Sequence, residues 1–195
     1  ASALITAQTV ARIPDGGRLA LERGAVVTPL AREEAERRGI VLSQAGDALD
    51  LALAADHGGF ALKRELVEAL RRRGLRVHDL GTHDDRAVDY PDYAVAAAHE
   101  VAAARVDAAI VVDGAGIGSA MAANKVPGVR AANGVTVALA RNAREHNHAN
   151  LLTLGAGHHD LASALDVVDA FLATPFGPDR HARRVAKIDA LDNHR

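Results

Sequence analysis

Five short apolar or alternating runs, at 51–55, 75–80, 108–112, 129–132 and 150–154, each end in a turn signal. Between and after them lie amphipathic stretches of helical length at 60–73, 91–104, 117–125, 135–145 and 161–173. Runs this short read as strands, and the longer stretches with apolar residues three and four apart read as helices. Regular alternation of the two forces crossover connections, which are right-handed and build a parallel sheet covered by helices on both faces. The pattern therefore predicts a five-stranded doubly wound α/β domain over residues 49–195. Ligands of such sheets sit beyond the carboxyl ends of the strands, near the topological switch point. Residues that immediately follow a strand are the ones to examine.

Two segments lie outside the alternation. Residues 1–48 form a short N-terminal extension in which Thr28-Pro29 is a helix-start signal, LAREEAERRG a short helix closed by Gly39, and 44–48 a linker. The tail at 178–191 reads as a basic amphipathic C-terminal helix after a Pro/Gly break. Composition narrows the function classes. A formal charge of -2 gives no basic field for nucleic acid or anionic membrane, and no apolar run approaches the length of a membrane span. With Cys 0 there is no disulfide framework, thiolate metal site or cysteine nucleophile. Ten histidines raise the question of a metal, but none stands at ligand spacing from an acid partner, so no metal is expected. A soluble cytoplasmic protein with a small-molecule or protein partner is the expectation.

The strongest local signal is AAIVVDGAGIGSAMAANK, 108–125. A strand ends in Asp113, then Gly114, Gly116 and Gly118 leave backbone amides unobstructed where a helix begins, which makes an anion site. The spacing is neither the dinucleotide fingerprint nor a phosphate loop with its Gly-Lys-Ser/Thr ending. Further candidates are Asp56 and His57 in AADHGGF, Tyr90 in VDYPDY, and His146, Asn147 and His148 in REHNHAN before the fifth strand. The last is the triplet Arg180, His181 and Arg184, whose two arginines share a helix face and suit a phosphate dianion. Read singly, these are equally caps or solvated side chains.

In this order DHGGF, VDYPDY, DGAGIGSAMAANKVPGVRA, AREHNHANLLTLG and RHARRVAKI resemble the type B ribose-5-phosphate isomerases and their galactose-6-phosphate isomerase relatives, over about residues 50–190. The resemblance implies a Rossmann-like αβα three-layer sandwich, a dimer or tetramer with active sites at subunit interfaces, and no metal or other cofactor. It implies ring opening followed by proton transfer between C1 and C2 through a cis-enediolate. On the matching positions, Asp56 binds sugar hydroxyls, His57 lies near substrate or phosphate, and Tyr90 lines the pocket. The amides of Gly114, Ala115, Gly116 and Gly118 stabilise the enediolate. His146 assists ring opening beside Asn147, and Arg180, His181 and Arg184 hold the phosphate.

The chain departs from that pattern in three places. Asp113 stands where many members have a cysteine base, and Ser119 where others have a glutamate. Ala115 replaces a Thr or Ser, and Gly157 replaces an arginine after the fifth strand, leaving His158 or His159 as substitutes. Asp113 is then the expected base, the alternative being a cap on the glycine turn. A catalytically silent sugar-phosphate-binding or assembly module is the competing function, and another sugar phosphate the competing substrate. LITAQTVARI followed by GAVVTPLAREEAERRGI resembles the start of ethanolamine-utilization accessory proteins of bacterial microcompartments. That implies packaged cargo, with shell or cargo proteins as partners.

Overall fold

A computed structural model describes residues 3–21, 25–44, 48–177 and 179–194. The N-terminal unit holds more regular structure than its sequence announces: β1 (Leu4–Ile5), α1 (Ala7–Ala11), β2 (Arg18–Leu21), β3 (Val26–Val27), α2 (Pro29–Arg37) and β4 (Val41–Gln44). β1 pairs with β3 and β2 with β4, both in parallel. Thr28 caps α2 by accepting the Ala31 N–H at 3.2 Å, and Gly39 takes a positive φ just past its end. Ile5, Val10, Leu21, Ala31, Ala35 and Ile40 form a small core of the unit's own. The linker read at 44–48 falls mostly on 45–47, outside the described residues.

The main domain runs β5 (Asp50–Ala55), α3 (Phe60–Arg72), β6 (Arg76–Asp79), α4 (Tyr90–Ala102), β7 (Ala108–Asp113), α5 (Ile117–Ala123), β8 (Ala131–Asn133), α6 (Val137–Asn147), β9 (Leu151–Gly155), α7 (Leu161–Ala173) and α8 (Asp179–Asp189). Its sheet is wholly parallel, as the alternation predicts, and its strand order is β6-β5-β7-β9-β8. Side chains of a strand alternate between faces, and this splits the core in two. Leu51, Leu53, Ile110, Val112, Leu152 and Leu154 pack with α3, α6 and α7, whereas Ala52, Ala54, Ala109 and Val111 pack with α4 and α5. The second layer is rich in alanine, including Ala94, Ala97 and Ala98 of α4, so that helix can approach the sheet closely.

The chain leaves β5 for β6 on one side and returns to β7 on the other, which puts the switch point between β5 and β7. The tail helix is not simply solvated. α8 buries His181 and Val185, and its end is tied down by Asp189, which accepts from Arg130 at 2.7 Å. Most boundaries shift from expectation by one or two residues. β8 starts two residues late, and α6 runs through Asn147, so His146 and Asn147 belong to a helix rather than to a loop.

Candidate functional site

The switch-point crevice is built from the ends of β5 and β7. Ala55 pairs with Val112, so Asp56 and Asp113 come next on adjacent strands, and the Asp56 N–H donates to Val112 O at 3.2 Å. Close approach here depends on Gly59, because a Cβ at that position would lie 2.1 Å from the Val112 carbonyl oxygen. Both acids are nearly buried, with Asp56 8% and Asp113 5% exposed.

Their carboxylates differ sharply. Oδ1 of Asp113 accepts the N–H of Ala115 at 2.8 Å and the N–H of Gly116, while Oδ2 accepts the Ser119 N–H at 3.1 Å and the Ser119 hydroxyl. A carboxylate offers about four lone-pair sites, and here loop donors fill all of them. Asp113, expected as the base, is therefore committed to holding the glycine turn, because no acceptor site is left for a substrate C–H while the loop keeps this shape. Asp56 accepts one hydrogen bond among the described residues, from Gly59 N–H to Oδ1 at 2.9 Å. A point 3.4 Å from its Oδ1, where a Cβ on Gly58 would sit, is 3.8 Å from the Gly114 nitrogen. The open carboxylate and the first amide of the loop thus border one space.

The turn is fixed from behind by residues not singled out from sequence. Thr153 of β9, fully buried, donates to Gly116 O at 2.6 Å, and Asn133 Nδ2 donates to Ala115 O at 3.3 Å. The polar Thr153 inside the otherwise apolar LLTLG is the signal that could have found it. Gly116 has φ +77, and a Cβ there would meet Asn133 Oδ1 at 2.9 Å, so this position requires glycine. Gly157, exposed, donates its N–H to Gly114 O at 3.0 Å, which supports the loop's mouth by backbone alone. His159 Nε2 lies 2.9 Å from Gly134 O. Tyr90 begins α4 and lays its ring against Gly118, where a Cβ would come within 2.7 Å of ring carbons. His57 is exposed, with Nδ1 3.2 Å from the Val88 nitrogen and oxygen. When Nδ1 accepts from that N–H, the ring carries its proton on Nε2.

The remaining candidates form a second cluster. His146 stacks on His181 with centroids 4.2 Å apart and planes 10° from parallel, and its Nδ1 lies 3.0 Å from Asn142 Nδ2. Burial, together with the charges of His146, Arg180 and Arg184, holds the His181 pKa below the usual histidine value. Among the described residues its Nε2 is buried without a hydrogen-bond partner. Arg180 and Arg184 are exposed on α8. No hydrogen bond or ring contact joins this cluster to the crevice among the described residues. Asn147 goes elsewhere, lining a pocket of about 250 Å³ with Arg130, Ala143 and Ile188. Consecutive helical residues diverge by about 100°, so extending α6 sends His146 and Asn147 to different neighbours. No group of three or more His, Asp or Glu is arranged to hold a metal among the described residues.

Comparison with known proteins places the chain in a family. A ribose-5-phosphate isomerase B of Mycobacterium tuberculosis is 43% identical over 135 residues, covering 68% of this chain and 83% of the relative. The structure of the Clostridium thermocellum ribose-5-phosphate isomerase B superposes with a TM-score of 0.73 at 44% identity, covering 75% of this chain and 99% of that one. That of Mycoplasma genitalium ribose-5-phosphate isomerase B with bound ribulose 5-phosphate gives 0.72 at 37% identity, covering 75% and 97%. The family described as Ribose/Galactose Isomerase matches residues 51–188, from the first strand of the main sheet to the end of α8, and the chain belongs to it.

Proposed function

We propose that the protein interconverts ribose 5-phosphate and ribulose 5-phosphate through a cis-enediolate. The observation that carries this reading is the glycine turn at the switch point, fixed by Asp113, Thr153 and Asn133 so that the Ala115 and Gly116 N–H groups turn in to Asp113 while the Gly114 amide borders the space beside Asp56. Backbone N–H groups fixed before substrate arrives stabilise the oxyanion that develops as C2 loses its proton, with no reorganisation at the moment of reaction. A relative that binds ribulose 5-phosphate supports the five-carbon substrate. Turnover of ribose 5-phosphate, six-carbon aldose phosphates and unphosphorylated ribose, compared by kcat/KM, tests it. Preference for the five-carbon phosphate is expected, and a preference for a six-carbon phosphate would move the substrate assignment.

A homodimer completes the site in this reading. The His146–His181 pair with Arg180 and Arg184 reaches a partner's crevice to assist ring opening and hold phosphate, while exposed Ile117, Met121 and Leu139 supply apolar contact area. The N-terminal unit acts as a microcompartment-targeting segment. Support comes from its separate core and from the exposed Leu4, Val26 and Leu30. Residues 1–48 fused to a reporter should recruit it to a shell, and a reporter left diffuse would sink the targeting role.

A further inference from the structure

We infer that Asp56, not Asp113, is the base that moves the proton between C1 and C2 in this chain, a conclusion that rests on the isomerase reading above. Two carboxylates stand side by side at the ends of β5 and β7, and their surroundings divide the labour. Asp113 has four donors on four lone-pair sites, so taking up a carbon-bound proton would cost it at least one loop hydrogen bond and distort the cradle that must bind the oxyanion. Among the described residues Asp56 has one donor, is almost as deeply buried, and borders the space next to the Gly114 amide. The chain has no thiol, and the later loop position carries Ser119, whose hydroxyl is spent on Asp113. His57 Nδ1 is in contact with Val88, and Lys63, buried on α3, donates to Asp79 and to Thr82 O beside the same strand end.

In the open-chain aldose, an Asp56 oxygen takes the C2 proton. The C2–H electron pair becomes the C1=C2 bond, and the C1=O1 pair moves onto O1, held by the Gly114 amide. The O2 proton passes to O1, O2 re-forms its carbonyl, and protonated Asp56 returns its proton to C1. Atoms and electrons balance without a co-reactant. Ser119 is a positioning residue, acting through Asp113 on the direction of the amides.

The test is steady-state kinetics of the full-length wild type and of Asp56→Asn, Asp56→Glu, Asp113→Asn and Ser119→Ala, each checked for folding by circular dichroism. Asp56→Asn should lower kcat by about 10² to 10⁴-fold with KM nearly unchanged, and should abolish the acidic limb of the kcat–pH profile. Asp56→Glu, which keeps a displaced carboxylate, should recover part of the rate and the limb. Asp113→Asn and Ser119→Ala should lose activity through a loosened cradle while keeping the acidic limb. An Asp56→Asn enzyme with near-normal kcat and a raised KM would make Asp56 only a hydroxyl-binding residue and overturn the inference. Loss of the limb in Asp113→Asn alone would overturn it in favour of Asp113. A wild type that turns over no aldose phosphate would instead remove the isomerase reading on which this one stands.

Discussion

Asp50 opens β5 at the amino end of the sheet, opposite the crevice, and it ties the N-terminal unit to the main domain. Its carboxylate, 4% exposed, accepts from Arg76 Nε at 3.0 and 3.1 Å and Nη2 at 2.6 Å, contacts His78 Nε2 at 3.0 Å, and pairs with Arg18 of β2. Burial, the largest single influence, opposes ionisation. Hydrogen bonds from Arg76 and His78 and the charges of Arg18 and Arg76 outweigh it and hold the pKa below the usual carboxylate value. Asp50→Ala strands the Arg18 side chain, which is 13% exposed, while Arg76 and His78 are half-exposed and regain water. Breaking a fully buried pair costs about 3–5 kcal/mol, and the exposed partners place this case near about 3 kcal/mol. At about 2–4 °C per kcal/mol for a chain of this size, Tm should fall by about 6–12 °C. Because the folded pKa is depressed, the stabilisation is complete above the unfolded value of about 3.9 and disappears as pH falls through the folded value. Thermal melts of wild type and Asp50→Ala should therefore differ by a constant amount from about pH 7 to 5 and converge below about pH 4. A Tm loss under about 2 °C, or a gap that widens in acid, would refute the reasoning.

Arg180→Ala and Arg184→Ala should each raise KM for phosphorylated sugar by about 10 to 150-fold, the equivalent of about 1.5–3 kcal/mol for a lost charge-assisted hydrogen bond, and leave unphosphorylated sugar unaffected. Equal effects on both sugars would return α8 to a purely structural helix. Gly116→Ala should cost about 1–3 kcal/mol of stability from the positive φ alone and lower turnover by about 10²-fold or more as the amides swing, read by melts and kcat. His181 has a depressed pKa, so its contribution is complete above about 6.5 and is lost as pH falls. His181→Phe, which keeps a ring against His146, should flatten the decline of Tm between about pH 7 and 5, and an unchanged decline would place the titration elsewhere.

The main sheet was legible because β5, β7 and β9 are buried on both faces and read as continuous apolar runs, with helices between them of unmistakable period. The N-terminal strands were not, since runs of two to four residues carry too little alternation to separate them from loops. Strand-end logic located Asp56, Asp113 and the glycine turn, but position along a chain does not count lone pairs. The Ala115, Gly116 and Ser119 donors reach Asp113 only because the turn folds back over it. The setting of Asn147 was not legible: two added residues of helix turn it away from His146, and no local sequence cue marks that extension.

The proposed reaction moves a proton through an enediolate at the β5–β7 crevice. Following ribose 5-phosphate and the wild-type protein in D₂O by NMR tests it most directly. Ribulose 5-phosphate should accumulate with deuterium at C1, and recovered aldose should gain deuterium at C2, because the base exchanges its proton with solvent. No ketose, or ketose free of deuterium after many turnovers, would contradict it.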